Sequence, residues 1–425
     1  MKETNDLGQL LLGGIPASTL AKQYGTPLYV FEEDIILENC RKFKSAIDKR
    51  YRGLVVYASK AMCCLELCRI MEKLGLGIDV VSIGELYTTL KSGMNPKNIV
   101  FHGNNKSEEE LVMAIENNIG RIVLDNMEEL ERIEIIASKL NKKVNIMPRL
   151  KPGIDVHTHD YIKTGQIDSK FGFSIENGEA FSMVKETIKY NNLNLVGFHC
   201  HIGSQIFEIE PFKDAAEIML KFINKVKVEL NLNPTDLNLG GGFGITYTRE
   251  DDPPKYEDFI DGVYERVEEV CKKLNMDIPF ILIEPGRAIV GEAGTTLYKV
   301  GVIKEIKDVR TYVGIDGGMT DNPRYALYHA KYDIANVDKV NEKKDKVITL
   351  AGKCCESGDL IGEDMPIQDI KVGDIISVFS TGAYNYSMSS NYNRIPKIPV
   401  VMVSNGKSRI IVKGQNLDDL IKYDI

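Results

Sequence analysis

The sequence predicts an α/β barrel, (β/α)8, followed by an all-β domain, and three observations carry that reading. Short β-branched runs alternate with longer amphipathic segments eight times between Leu54 and Glu284. From about residue 290 the rhythm changes to apolar–polar alternation with turn signals between the runs. The chain has 425 residues, more than one ordinary core occupies.

The eight expected barrel strands are LVVYAS (54–59), IDVVS (78–82), IVFHG (99–103), RIVLD (121–125), VNIMPRL (144–150), NLVGFHC (194–200), TDLNLGG (235–241) and FILIEP (280–285). Between them lie helix-like stretches such as SEEELVMAIENN and NMEELERIEIIASKL, apolar at three-and-four spacing. Strands separated by helices run parallel, and eight of them close a barrel. An open doubly wound sheet is the alternative, but no GxGxxG follows an early strand. After residue 290 the runs TTLYKVGVIKEIKDV, TYVGIDGG, KVITLAG, DIISVFS and PVVMVSNGKSRIIV read as a β-barrel or sandwich. The N-terminal segment, with its short TPLYVF strand, is expected to join that domain or to bridge to it. The expected bounds are 30–284 for the barrel, and 1–29 with 285–425 for the β domain.

Composition narrows the class. Hydrophobic residues make up 43% and charged residues 27%, a globular balance. A net charge of −8, with basic residues interleaved with acids as in Asn341-Glu342-Lys343-Lys344-Asp345-Lys346, argues against a nucleic-acid partner. The opening MKETNDLGQLLLGG has no basic stretch and too short an apolar run for a signal peptide, and no run approaches a membrane span. Cytoplasm is the expected location. The eight cysteines form no CxxC pair and read as reduced thiols. Cys63, Cys64 and Cys68 fit small apolar positions on a helix better than metal ligands.

In a barrel, the loops after the strands converge on one face, where active sites form. Here they deliver Lys60, Asp79 with Ser82, His102 with Asn104, Asp125, Arg149, His199 with His201, Gly240-Gly241-Gly242, and Glu284 with Arg287. A lysine at a strand end, desolvated by apolar neighbours, has the lowered amine pKa that Schiff-base chemistry needs, and Lys60 in YASKAM is placed for this. The glycines after strand seven and Glu284-Pro285-Gly286-Arg287 after strand eight suit a phosphate site, though three glycines also make a tight turn. A carboxylate at Glu284 suits a pyridine nitrogen, which it keeps protonated. His201 offers a flat ring for stacking and Ser204 a hydroxyl for a phosphate. His199 and His201 could also be core histidines or a metal pair, but no third ligand follows at helix spacing, so no metal is expected. In the β domain, Arg324 with Tyr328 suits a substrate carboxylate, and a cysteine beside acids in Lys353-Cys354-Cys355-Glu356-Ser357-Gly358-Asp359 could deliver a proton. Each of these, alone, also fits a surface turn.

Taken in order along the chain, YASKA around Lys60, FHGNNKS (101–107), HTHDYIKTGQIDSKFGF (157–173), GFHCHIGSQ (197–205), LGGGFGI (239–245), EPGR (284–287), DGGMTDNPRYALYHAKY (316–332), CESGD (355–359) and GAYNYSMSSNYNR (382–394) carry a resemblance. The sequence resembles the alanine-racemase-fold group of pyridoxal-phosphate-dependent decarboxylases, and most closely the branch acting on diaminopimelate. The resemblance implies that Lys60 holds the pyridoxal 5'-phosphate. It implies that His201 stacks on the ring, that Ser204, Gly241, Gly242, Gly286 and Arg287 line the cofactor and its phosphate, and that Glu284 meets the ring nitrogen. It gives Arg287, Arg324 and Tyr328 the substrate carboxylates, Tyr384 both cofactor and substrate, Glu356 the distal ammonium, and Cys355 the returning proton. A second thiol, Cys354, stands beside it. The implied reaction converts meso-2,6-diaminopimelate to L-lysine and CO2, in a homodimer whose Cys355 loop reaches the partner's site. Ornithine, arginine and carboxynorspermidine decarboxylases share the cofactor motifs, and a non-catalytic homologue or an alanine racemase shares the fold. A racemase would have no use for the CESGD loop.

Overall fold

A computed structural model describes residues 3–154 and 169–425. Most of the expected motif at 157–173 therefore lies outside the described residues. The chain divides into two compact units, Asn39–Gly244 with Pro253–Ala288, and Met1–Glu38 with Ile245–Asp252 and Ile289–Ile425.

The first unit is a parallel barrel. Its strands are β1 (Gly53–Ala58), β2 (Gly77–Val80), β3 (Ile99–Phe101), β4 (Arg121–Leu124), β5 (Val144–Pro148), β6 in two pieces (Leu193–Leu195 and Gly197–His199), β7 (Asp236–Asn238) and β8 (Phe280–Ile283). Each pairs in parallel with the next, and β8 pairs with β1. The ring turns at Val196. The first piece of β6 pairs with β5 and the second with β7, while the Val196 N–H donates to Ile146 and its carbonyl accepts from Thr235 and Asp236. An Arg149–His199 bridge completes the closure.

Side chains alternate along a strand, and this sets what lies inside. Val56, Val100, Val123, Met147 and Leu282 meet in one buried cluster, backed by Leu54, Val196 and Phe280. Alternate residues of different strands meet there, so the barrel is plugged by a packed apolar layer. Two residues onward along four of these strands come His102, Asp125, Arg149 and Glu284. The polar layer therefore sits one pleat above the plug, at the C-terminal ends of the strands.

Three successive strand-to-helix turns use the same device. Ser82, Ser107 and Asn126 cap the helices Ile83–Lys91, Glu108–Glu116 and Met127–Lys139, accepting from the backbone N–H of Glu85, Glu110 and Glu129. The three glutamates fold back onto N–H groups of Val81, Ser107 and Asp125 respectively. Capping of this kind satisfies orphan donors at helix starts. Outside the barrel, Phe43, Phe212, Phe243, Tyr256 and Phe259 stack in one aromatic cluster that joins three helices to the loop after β7.

The second unit is built on strand Gly294–Ile306, whose first half pairs with Leu28–Glu32 and Ile375–Val378, and whose second half pairs with Arg310–Ile315. The sheet runs from Leu360–Ile367 through Lys346–Ala351 to Arg310–Ile315, and from Leu28–Glu32 through Val400–Ser404 to Lys407–Val412. The N-terminal strand thus enters this sheet, as the TPLYVF run predicts. Leu10, Leu12, Leu20, Val30, Leu297, Val401 and Val403 share its core. Among the described residues, no helix is long and apolar enough to cross a membrane.

Candidate active site

Glu284 is the best-surrounded group of the barrel mouth. It is 6% exposed, and its Oε1 accepts from His102 Nε2 at 2.7 Å and from Asn238 Nδ2 at 2.6 Å. His199 Nε2 stands 3.3 Å from Oε2, and the two imidazoles meet edge-to-face at 4.7 Å. Burial pushes the Glu284 carboxyl up, but the two histidines and their hydrogen bonds outweigh this and hold it well below the usual range. It is therefore an anion in an apolar barrel. Burial draws His199 down to about 3, so that ring is neutral.

His102, His199 and Glu284 also place three ligand-type atoms within 4.8 Å of one another. His201 is not among them: His199 meets His102 and Glu284, which come from two other strands and not from helix spacing. Two of these atoms already satisfy each other at hydrogen-bond distance.

Lys60 lies on the turn Ser59–Ala61 directly after β1. Ser59 and Ala61 are buried, but Lys60 is exposed. Apolar desolvation is thus not what surrounds it, and that expectation is corrected. The turn sends the two small side chains inward and the long one out to the polar face, where burial pushes the carboxyls of Asp79 and Glu85 up and the Lys60 charge only partly opposes the rise.

Asp79 supplies a test by pH. It is 3% exposed, and among the described residues its Oδ1 has no hydrogen-bond partner. Burial pushes its carboxyl up to about 6, with His102 pulling back and Glu284 adding to the push. A raised folded pKa means the native state holds the proton more tightly than the unfolded chain. The stability this contributes is complete below the unfolded value near 4 and is lost as pH rises through about 6. Asp79→Asn, which imitates the neutral acid, should stabilise cofactor-free protein by about 2 kcal/mol at pH 8 and hardly at all at pH 4. Equal gains in thermal midpoint at both pH values would refute this origin.

The loops after β6, β7 and β8 close on one another through bare backbone. A Cβ on Gly241 would lie 2.1 Å from the Glu284 carbonyl oxygen, and one on Gly242 (φ +117) 2.5 Å from that of Gly203. Gly241 N–H donates to His201 Nδ1 at 3.3 Å, and Arg287 Nη2 donates to Ser204 Oγ at 2.9 Å. Gly286 packs on Ala58, whose N–H donates to Pro285. His201 is half-buried, and burial, with Lys60 and Arg149 nearby, keeps it neutral. A cofactor with a phosphate, a flat ring and a basic ring nitrogen fits this set. The glycine cradle, Ser204 and Arg287 suit the phosphate, His201 the ring, the Glu284 anion the nitrogen, and Lys60 an aldehyde.

In the other unit, Arg324 begins a helix of one turn, Arg324–Tyr328, and is 8% exposed. Its Nη1 donates to Tyr332 at 2.9 Å, and its guanidinium lies 4.7 Å over the Tyr247 ring. Tyr328 is half-buried one turn along. Asn385 Nδ2 also reaches Tyr332, and Tyr384 beside it adopts φ +64, uncommon for a tyrosine. Cys355 is exposed in the hairpin loop between Lys346–Ala351 and Leu360–Ile367, its N–H donating to Asn393. Cys354 is half-buried beside Asp359, its thiol pushed up to about 12 by burial and that carboxylate. Glu356 is exposed, accepting from Gly358 N–H at 3.3 Å.

Sequence reasoning gave no role to Asn238, Tyr247, Tyr332 or Asn385. Asn238 had a signal, since it lies in a strand's last position ahead of the glycines. His102 has a signal too: it lies two residues beyond Val100 of the apolar plug, as Glu284 lies two beyond Leu282, which points both inward.

Comparison with known proteins gives the class first. Residues 33–291 match the family described as pyridoxal-dependent decarboxylase, pyridoxal binding domain. The barrel is that of a pyridoxal-phosphate enzyme of the decarboxylating kind. Full-length relatives then narrow it. The chain is 46% identical over 422 residues to diaminopimelate decarboxylase of Bacillus subtilis (strain 168), covering 99% of this chain and 96% of the relative, and 47% identical over 416 residues to that of Bacillus methanolicus, covering 98% and 96%. The crystal structure of diaminopimelate decarboxylase from M. jannaschii with L-lysine superposes with a TM-score of 0.93 at 37% identity, covering 100% of this chain and 97% of that one. The chain belongs to the diaminopimelate decarboxylase family.

Proposed function

We propose that this protein removes CO2 from meso-2,6-diaminopimelate to give L-lysine, with pyridoxal 5'-phosphate as cofactor. The observation that carries the reaction type is the ionised, buried Glu284 at the barrel mouth of a chain in this family. Pyridoxal phosphate supplies an aldehyde for the substrate amine and a conjugated ring that takes up the electron pair left when CO2 departs.

This chain's residues do the rest. Lys60 Nζ, on the turn directly after β1, would hold the cofactor through its aldehyde. Glu284, kept anionic by His102 and Asn238, holds the proton on the ring nitrogen. His201 would stack on the ring, while Ser204, Gly241, Gly242, Gly286 and Arg287 would hold the phosphate end. Arg324, Tyr328 and Arg287 take the substrate carboxylates. The Tyr247 and Tyr332 contacts pre-set the Arg324 fork before substrate arrives. Glu356 takes the distal ammonium, and Tyr384 touches both cofactor and substrate. Cys355 Sγ would give Cα the proton that replaces CO2, and the exposed thiolate would regain one from solvent. Cys354 is unsuited to that task, because its thiol is turned to Asp359.

The working form is a homodimer in which the exposed Cys355 loop of one protomer serves the barrel of the other, and its place is the cytoplasm. Support comes from the family resemblance and from the exposure of both Cys355 and Glu356. The test is CO2 release by purified protein with added cofactor, comparing meso-diaminopimelate with ornithine, arginine and lysine. Turnover of diaminopimelate alone, yielding lysine, is the expected result. Preference for ornithine or arginine would overturn the assignments of Arg324, Tyr328 and Glu356 while leaving Lys60 in place.

A further inference from the structure

We propose that Lys106 is a positioning residue for Glu284, acting through His102. Lys106 and Glu129 form a buried ion pair, 1% and 0% exposed, with Nζ 2.7 Å from Oε1. All three ammonium donors are used. Besides Glu129, Nζ donates to the carbonyls of Gly103 at 2.8 Å and Val123 at 2.7 Å. Glu129 Oε2 in turn accepts from Asp125 N–H at 2.9 Å. Two loops, those after β3 and β4, are thereby locked to one buried charge. Further ties join them, from Arg132 to the Lys106 carbonyl and from Asn126 to that of Asn104.

The link to the site is one peptide long. Gly103 directly follows His102, and its φ of +129 lies where a side chain is strained. The unusual backbone turns its carbonyl onto Lys106, while the His102 N–H is held by Val80. Both sides of the His102 peptide are then tethered, and its ring meets Glu284 Oε1 at 2.7 Å. Among the three capping glutamates of consecutive loops, Glu85 and Glu110 are half-exposed and only Glu129 is fully buried against a lysine. Capping alone needs no lysine. A buried ion pair gains little stability over an apolar pair of the same shape, so what this one supplies is geometry.

The inference rests on the reading that Glu284 faces the cofactor's ring nitrogen, and the test separates the two. Lys106→Met alone leaves a buried, unpaired carboxylate and can fail to fold, so the working variant is Lys106→Met with Glu129→Gln. Imidazole 1H–15N signals of His102 are read in cofactor-free protein, and kcat and KM for diaminopimelate in holoenzyme. The expected result is a shifted or broadened His102 signal and a kcat lower by about tenfold or more, with KM within about twofold, the scale of one hydrogen bond to a charged group. Val270→Ala, which trims a buried residue of the outer helix Tyr256–Leu274, should move neither readout. An unchanged His102 signal in a folded double variant would overturn the positioning role. A moved signal with unchanged kcat would overturn the reading of Glu284 instead. Equal loss of kcat in Val270→Ala would also overturn the proposal, since lost stability alone would then explain it.

Discussion

Lys60→Ala is expected to lower turnover by at least about 10^3-fold, the scale on which enzymes lose a covalent catalyst. The variant should also lack any lysine–cofactor link that borohydride can fix. Folding should be untouched. Lys60 is exposed, and its turn is carried by the buried Ser59 and Ala61, so truncation leaves no cavity and no orphaned polar group. Burial pushes the carboxyls of Asp79 and Glu85 up and the Lys60 charge partly opposes this, so both acids should rise further once it is gone. Thermal midpoints of the cofactor-free variant and parent should agree within a few degrees. A borohydride-fixed adduct that survives in Lys60→Ala, mapped to another lysine, would show that the wrong amine has been chosen.

Cys355→Ala should lower turnover by about 10^2- to 10^4-fold, the range for a lost general acid. Cys354→Ala should cost much less, because that thiol is pushed up by burial and Asp359. The stronger test uses both inactive proteins. When Lys60→Ala and Cys355→Ala dimers exchange subunits, half the dimers are hybrids, and one of the two sites in each joins an intact Lys60 to an intact Cys355. Activity should recover to roughly a quarter of the parent. No recovery, with exchange proven by mass, would mean that each protomer uses its own Cys355.

Much of this architecture is legible in the chain. Eight β-branched runs separated by helical periodicity become eight barrel positions, because one-residue alternation and three-and-four spacing are local properties that packing only has to accept. The TPLYVF strand could be assigned to the β domain, and it pairs there with Gly294–Ile306. Local reading failed where the deciding neighbour is remote. His102 and Glu284 meet across 182 positions of chain, and Arg121 meets Asp236 across 115. The expectation for Lys60 failed for a related reason. Apolar neighbours in YASKAM do not tell which way a turn points them.

The sequence by itself determined the two-part fold, the order of its strands, and which loops carry a lysine, a run of glycines, a carboxylate and a pair of thiols. Tertiary structure alone decided their states: that Glu284 is an anion, that His199 is neutral, that Lys60 is exposed, and that Arg324 is held by Tyr332 and Tyr247. The physical reason is range. Periodicity and turn chemistry act within a few residues, whereas a buried group's charge is set by whatever lies within a few ångströms, and closing the barrel brings that from distant strands.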